Sequence, residues 1–164
     1  MDPRAKRIVR KLSVYVAVVG LALPLLLQSR EREGKVGACF SNVKTLALGF
    51  LIYANDFDDR LPPAGAWMDR DMHYLPRPEA VHCPFLPNPG SDQYGYAMRK
   101  RLGRIKQTDV KEPRTEALVF DSNLLARNAA SDNVILPDFT RHKAQNVGFL
   151  DGHARPIYLS RSPR

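Results

Sequence analysis

Cysteine is scarce in this 164-residue chain, with only Cys39 and Cys83 present. Two isolated thiols cannot build a structural zinc site, which takes about four ligands. No glycine-rich phosphate cradle occurs, and the serines stand without an elbow motif or an assigned base. Phosphate binding and nucleophilic catalysis therefore have no support, and no enzymatic activity is expected. Internal repeats and low-complexity segments are also missing. One further absence is local: the run from Leu12 to Leu27 contains no charged residue.

That run is sixteen residues long, LSVYVAVVGLALPLLL, slightly short of the ~20 needed to span hydrocarbon. Arg10, Lys11 and Arg30 at its ends can snorkel to make up the difference. Five bases (Arg4, Lys6, Arg7, Arg10, Lys11) precede it against the single acid Asp2. Lys/Arg-rich flanks stay on the cytoplasmic side, so the orientation is N-in, C-out. A cleavable signal peptide is the competing reading. No small-x-small cleavage site follows Leu27, and a retained anchor is expected. The division is thus a basic cytoplasmic N-terminus (1–11), a transmembrane helix (12–28) and an extracytoplasmic domain (29–164). Ala17, Gly20 and Ala22 offer small surfaces for helix approach in the membrane, and Pro24 is expected to kink the helix there.

Of the formal net charge of +8, the segment 1–28 supplies five bases and one acid, which leaves +4 for the rest. Much of that surplus lies in Arg99-Lys100-Arg101-Leu102-Gly103-Arg104-Ile105-Lys106, with Tyr94 and Tyr96 nearby as the stacking candidates. No nucleic-acid motif accompanies them, so a solvated basic loop is preferred and nucleic acid is not expected as a partner.

A long helix is expected from near Ala5 to about Asp56. Val43, Leu46, Ala47, Phe50, Ala54 and Phe57 fall at helical spacing and form its core face. Seven of the thirteen prolines lie between Pro62 and Pro89. That density predicts an extended, surface-wrapping connection without regular structure. Outside the cytoplasm the two cysteines favour a disulfide that staples the helix to this loop, the alternative being two buried thiols. The remainder reads as β: Tyr94–Met98, Ala117–Phe120, and two runs within 146–159 separated by Asp151-Gly152. Asp-Gly suits a type I′ hairpin turn, and Pro156 places the last strand at a sheet edge. The fold class is α+β, a long helix packed on a small antiparallel sheet. Trp67 can be a core plug or a partner-facing aromatic.

These pieces resemble a known family. ACFSNVKTLALGFLIYANDFDDRLPP (38–63), Cys83-Pro84, Tyr94-Gly95-Tyr96, IKQTDVKEPRTEALVFDSN (105–123) and RHKAQNVGFLDGHAR (141–155) follow one another in this order. Together they are similar to pilin-like proteins carrying the prepilin-type processing-associated His-x9-Asp-Gly domain, relatives of type II secretion pseudopilins and type IV pilins. The likeness covers about residues 12–158 and implies a pilin-type fold. Its N-terminal helix would lie half in the membrane and half on the sheet. Family members carry a Gly or Ala processing site followed by Phe-Thr-Leu-x-Glu. Here the corresponding residues, Arg4 to Lys11, contain neither the site nor the glutamate. In pilins that acid pairs with a neighbouring subunit's N-terminal amine, and a charge in lipid needs such a partner. Eight residues separate His142 from Asp151, one fewer than the family spacing.

No cofactor is expected, although Asp121, His142, Asp151 and His153 are side chains that could converge on a divalent metal. The plainer reading takes precedence: Asp151-Gly152 is turn chemistry, and the histidines hydrogen-bond loop backbone. His73 and His82 are read as surface histidines. The preferred function is a non-enzymatic accessory subunit of a larger membrane complex, partnered by the membrane and by other membrane subunits or sister copies, with no small-molecule substrate. A pseudopilin or pilus component is the alternative. A metal-dependent hydrolase built on Asp121, His142, Asp151 and His153, and DNA uptake through residues 99–106, rank below both.

Overall fold

The computed structural model describes residues 3–86, 92–134 and 144–158. The chain divides into two compact units, Met1–Lys35 and Val36–Arg164. Helix α1, Pro3–Asp56, contributes to both, and its helical assignment is unbroken across Pro24.

In the first unit α1 is solvent-facing wherever its side chains are described. Tyr15, Val16, Val19, Leu21, Leu23, Leu26 and Leu27 are 53–73% exposed. Ser29 Oγ donates to Leu26 O at 2.8 Å, and Lys35 pairs with Glu31 at 3.0 Å. Among the described residues one helix is long and apolar enough to cross a membrane, Val19–Asp56. Much of that apolar character belongs to residues 39–54, of which Cys39, Val43, Leu46, Ala47, Phe50, Tyr53 and Ala54 are buried in the second unit.

In the second unit α1 shows its expected face. Val43, Leu46, Ala47, Phe50 and Ala54 are fully buried. Phe57 departs from the pattern and is 45% exposed. The helix has already ended at Asp56, and Asp58 and Asp59 take positive φ (52° and 61°). Asp59 N–H donates to Ala54 O at 2.9 Å, so the chain turns away and the Phe57 ring stacks on Tyr53 at 4.2 Å.

The proline-rich connection is more regular than its composition predicts. A short helix α2, Trp67–Asp71, is flanked by single 3-10 turns at Ala64–Ala66, Met72–Tyr74 and Pro78–Val81. The prolines fall at the margins of residues 64–75, and a proline-free dozen leaves room for a turn of helix. Burial of Trp67 and Met68 then stabilises it.

Five strands form one sheet: β1 Tyr96–Arg99, β2 Ala117–Asp121, β3 Ala130–Ser131, β4 Gln145–Phe149 and β5 Ala154–Ile157. Their order is β3-β1-β2-β4-β5. The expected all-antiparallel sheet is corrected to a mixed one, because β3 pairs parallel to β1 through Met98↔Ala130 and Arg99↔Ser131. A parallel neighbour needs a crossover, supplied by residues 122–129, with Tyr94 N–H donating to Leu125 O and Met98 N–H to Ala129 O. β5 is an edge strand carrying Pro156 opposite Asn146, as proline requires.

The Asp151-Gly152 hairpin forms with a longer connection than a two-residue turn. Gly152 N–H donates to Phe149 O and Phe149 N–H to His153 O, both at 2.9 Å. Only Gly152 takes positive φ (+85°). A type I′ turn needs positive φ at both central residues, so the expected type is corrected to a turn followed by one left-handed glycine.

Both faces of the sheet are buried. Tyr96, Met98, Leu118 and Val119 join the α1 and α2 side chains in the main core. Ala97, Phe120, Val147 and Phe149 form a second cluster. Two-sided burial explains why β2 reads as a continuous apolar run over 117–120. Gly148 sets the spacing of α1 on the sheet: a Cβ there would lie 3.0 Å from Ala47 Cβ and 3.2 Å from Val43 Cγ1.

Candidate functional sites

The exposed apolar stretch of α1 is the first candidate. Gly20, Ala22 and Pro24 are exposed along it, and nothing stands within 4 Å of a Cβ built at Gly20. The side chain of Ala17 lies outside the described residues. Burying a leucine-sized side chain is worth about 1.5–3 kcal/mol. Seven large apolar side chains left in water would therefore be costly in an aqueous setting.

Cys39 on α1 and Cys83, just after the 3-10 turn Pro78–Val81, meet inside the core. Their Sγ atoms are 3.5 Å apart, and both residues are buried. A covalent bond requires ~2.05 Å, so the sulfurs stand in hydrogen-bonding contact. The contact with Cys83, reinforced by burial, holds the Cys39 thiol far above its usual range. Asn42 secures the same junction, its Nδ2 donating to His82 O at 3.1 Å and to Tyr96 Oη at 3.3 Å. Helix and loop are thus brought together where the staple was expected.

The four residues considered for a metal fare differently. Asp121 ends β2, where its Oδ2 accepts from Asn146 N–H at 2.8 Å and Asn146 Nδ2 at 2.9 Å. Asp151 and His153 flank Gly152 beyond the far end of β4. Asp151 is in short contact with His153 Nδ1 and lies 3.8 Å from Arg114 Nε. Hydrogen bonds from His153, with the charges of His153 and Arg114, outweigh desolvation and hold its carboxyl below the usual range. The His153 ring stacks on Phe149 at 4.4 Å, and Arg155 covers that same ring at 5.0 Å. Asp121 and Asp151 are therefore at opposite ends of β4, and at ~3.4 Å per residue the intervening strand separates them by well over a coordination sphere. His142 lies outside the described residues. Among the described residues no group of three or more His, Cys, Asp or Glu could hold a metal ion.

Two of the five bases in 99–106 are engaged within the domain. Arg99 and Arg101 both approach Glu116, Arg99 also lies 3.8 Å from Asp132, and Arg101 N–H donates to Asp132 Oδ1 at 2.8 Å. Tyr94 and Tyr96, the stacking candidates, are buried. Base stacking needs an exposed ring. In the proline-rich segment His73 is exposed, whereas His82 stacks on Tyr94 at 4.6 Å. Trp67 is a core plug: fully buried, stacked on Phe50 at 5.3 Å, with Nε1–H donating to Ala129 O at 2.8 Å.

Two features had no sequence signal. Arg127 and Asn128 clamp α2 to the crossover. Arg127 Nε donates to Asp69 Oδ1 at 2.6 Å and Nη1 to Tyr94 Oη at 2.8 Å, while Asn128 Oδ1 accepts from Met68 N–H at 2.8 Å. The second is Asp71, wholly buried, with neither carboxyl oxygen hydrogen-bonded. Comparison with protein-family models, with curated proteins and with solved structures finds no match for this chain.

Proposed function

We propose that this protein is a non-enzymatic single-pass membrane protein whose pilin-like outer domain serves as an accessory subunit of a larger membrane complex. The observation that carries the reading is the row of apolar side chains at 15–27, 53–73% exposed on a helix whose later turns are consumed by the globular core. Lipid is the solvent that such a surface fits. The N-terminal bases put the outer domain on the far side of the membrane. A long helix laid on a small sheet agrees with the family resemblance, as does the hairpin carrying Asp151-Gly152. The uncharged run lacks the helix glutamate used in filament assembly, which favours a fixed subunit over a polymerising one.

Native mass spectrometry of the protein extracted in detergent from its own membranes tests this. An intact basic N-terminus bound in fixed ratio to unrelated membrane subunits is expected. A shortened, N-methylated chain associated with copies of itself would replace the accessory reading with a filament subunit.

A further inference from the structure

Asp71 closes α2 against α1 at a point where α1 has no side chain. A Cβ built at Gly49 would fall 2.5 Å from Asp71 Oδ1 and 2.6 Å from Leu75 Cδ2. The carboxyl thus rests on bare helix backbone, with Leu75 sealing the other side. Its exposure is nil, and neither oxygen has a hydrogen-bond partner. Burying an unpaired carboxylate is far costlier than burying the neutral acid.

The surroundings offer no counter-charge. From α1, one turn before Gly49, Thr45 Oγ1 accepts from Arg77 Nη2 at 3.2 Å, and Ser41 Oγ accepts from the same nitrogen at 3.1 Å. One turn after Gly49 stands Tyr53, whose ring meets Tyr74 edge-on at 5.6 Å. On its own segment the titratable neighbours are Asp69, already committed to Arg127 and Asn128, and the exposed Arg70 and His73. None of these groups is bonded to Asp71.

The front of this segment is held by more hydrogen bonds to the rest of the fold than its back. Trp67 and Met68 are tied to Ala129 and Asn128 by hydrogen bonds, as Asp69 is to Arg127. Residues 71–75 are held by packing of Leu75 and Tyr74 and by turn bonds such as Leu75 N–H to Met72 O and Met72 N–H to Met68 O. A long bond from Arg127 Nη2 to Met72 Sδ at 3.6 Å and the half-buried Tyr74 hydroxyl against Asp56 add to these.

We propose that residues 71–75 form a pH-sensitive latch, closed on Gly49 when Asp71 is protonated and released from α1 as Asp71 ionises. Burial pushes the closed-state carboxyl from the ordinary aspartate value of about 3.9 up to about 8. In the released state the carboxyl is hydrated and ordinary. Between those two values each pH unit raises the open:closed ratio about tenfold, and the rise levels off above the higher one. Release bares the Gly49–Tyr53 turn of α1.

The test is hydrogen exchange on the full chain in detergent, comparing wild type with Asp71→Asn at equal pH so that intrinsic amide rates cancel. From pH 5 to pH 7 the wild-type exchange of amides 71–75, relative to Asp71→Asn, is expected to rise about a hundredfold. It should be insensitive to low urea, because a local opening exposes little surface. A ratio that stays constant over this range overturns the proposal. So does exchange of 71–75 that matches amides of β2 and β4 in rate and urea dependence, since ionisation would then act only through global unfolding. Should Asp71→Asn not fold, the wild-type comparison of 71–75 with those strands decides the question by itself.

Discussion

Oxidation of Cys39 and Cys83 is the perturbation whose size follows most directly from the geometry. The two residues are 44 positions apart in sequence, and closing a loop of that length removes about 4 kcal/mol of unfolded-chain entropy at 25 °C. The sulfurs already touch at 3.5 Å, so bond formation asks for an approach of about 1.5 Å. Side-chain rotation can absorb much of that. The net stabilisation expected is about 3–4 kcal/mol. Each bond formed transfers two electrons and two protons from the thiols to an oxidant such as glutathione disulfide, leaving two glutathione thiols. The thiolate is the nucleophile in this exchange, and the Cys39 thiol is held protonated by its contact with Cys83 and by burial. Oxidation of the folded, reduced protein should accordingly be slow, and oxidation during refolding fast. The assay is urea unfolding of the full chain in mild detergent, oxidised and reduced, with intact mass confirming the loss of two hydrogens. At a typical slope of about 2 kcal/mol per molar, reduction should lower the midpoint by about 2 M, and Cys83→Ser should match the reduced protein. An unchanged mass under oxidising refolding, or coincident midpoints, would refute the staple.

Other perturbations follow from single contacts. Gly148→Ala places a methyl 3.0–3.2 Å from Ala47, Val119 and Val43 and should cost about 1–3 kcal/mol by overpacking; an unchanged melting temperature would mean that α1 can back away from the sheet. Asp71 is neutral in the fold and ionised when unfolded, so the unfolded state binds fewer protons. While the latch stays closed, stability should then fall as pH rises above about 4, by up to ~1.4 kcal/mol per unit, and this fall should be absent in Asp71→Asn; equal slopes in the two proteins would contradict this. Asp121→Ala strands two donors of Asn146 and should cost about 1–3 kcal/mol, equally with and without a chelator. A wild-type loss on chelation alone would restore a metal at that corner. Leu21→Arg puts a charge into the apolar run at about 2.5–3.5 kcal/mol in a bilayer and should shift protein out of the membrane fraction; unchanged partitioning would count against the span.

The legible parts of the fold were those set by local periodicity. The buried face of α1 from Val43 to Ala54 was readable because each position recurs on one side of a 3.6-residue helix. The pattern failed at Phe57, where left-handed Asp58 and Asp59 had already turned the chain. The last hairpin was legible from Asp151-Gly152 and its edge position from Pro156, whereas the turn type was decided by backbone bonding that the dipeptide does not specify. β3 escaped because two residues, Ala130 and Ser131, carry no strand signal and owe their pairing to the crossover. Proline density concealed α2, since the prolines bound residues 64–75 and do not interrupt them.

Sites followed the same division. Cys39 and Cys83 could be paired because they are the two cysteines of the chain and an extracytoplasmic pair favours contact. The metal set joined residues at opposite ends of β4, a distance that nearness in sequence to one hairpin does not reveal. Asp71 offered no pattern at all. Its environment is made by Gly49 and Leu75, contacts that exist only once α2 has docked.

The decisive measurement is alkaline carbonate extraction of membranes combined with protease treatment of intact cells or spheroplasts. A chain that stays in the membrane pellet, loses its outer domain to external protease and keeps a protected fragment ending near residue 30 is the expected result. A chain released by carbonate, or one whose globular domain is cut only after the membrane is opened, would contradict a single span with its domain outside.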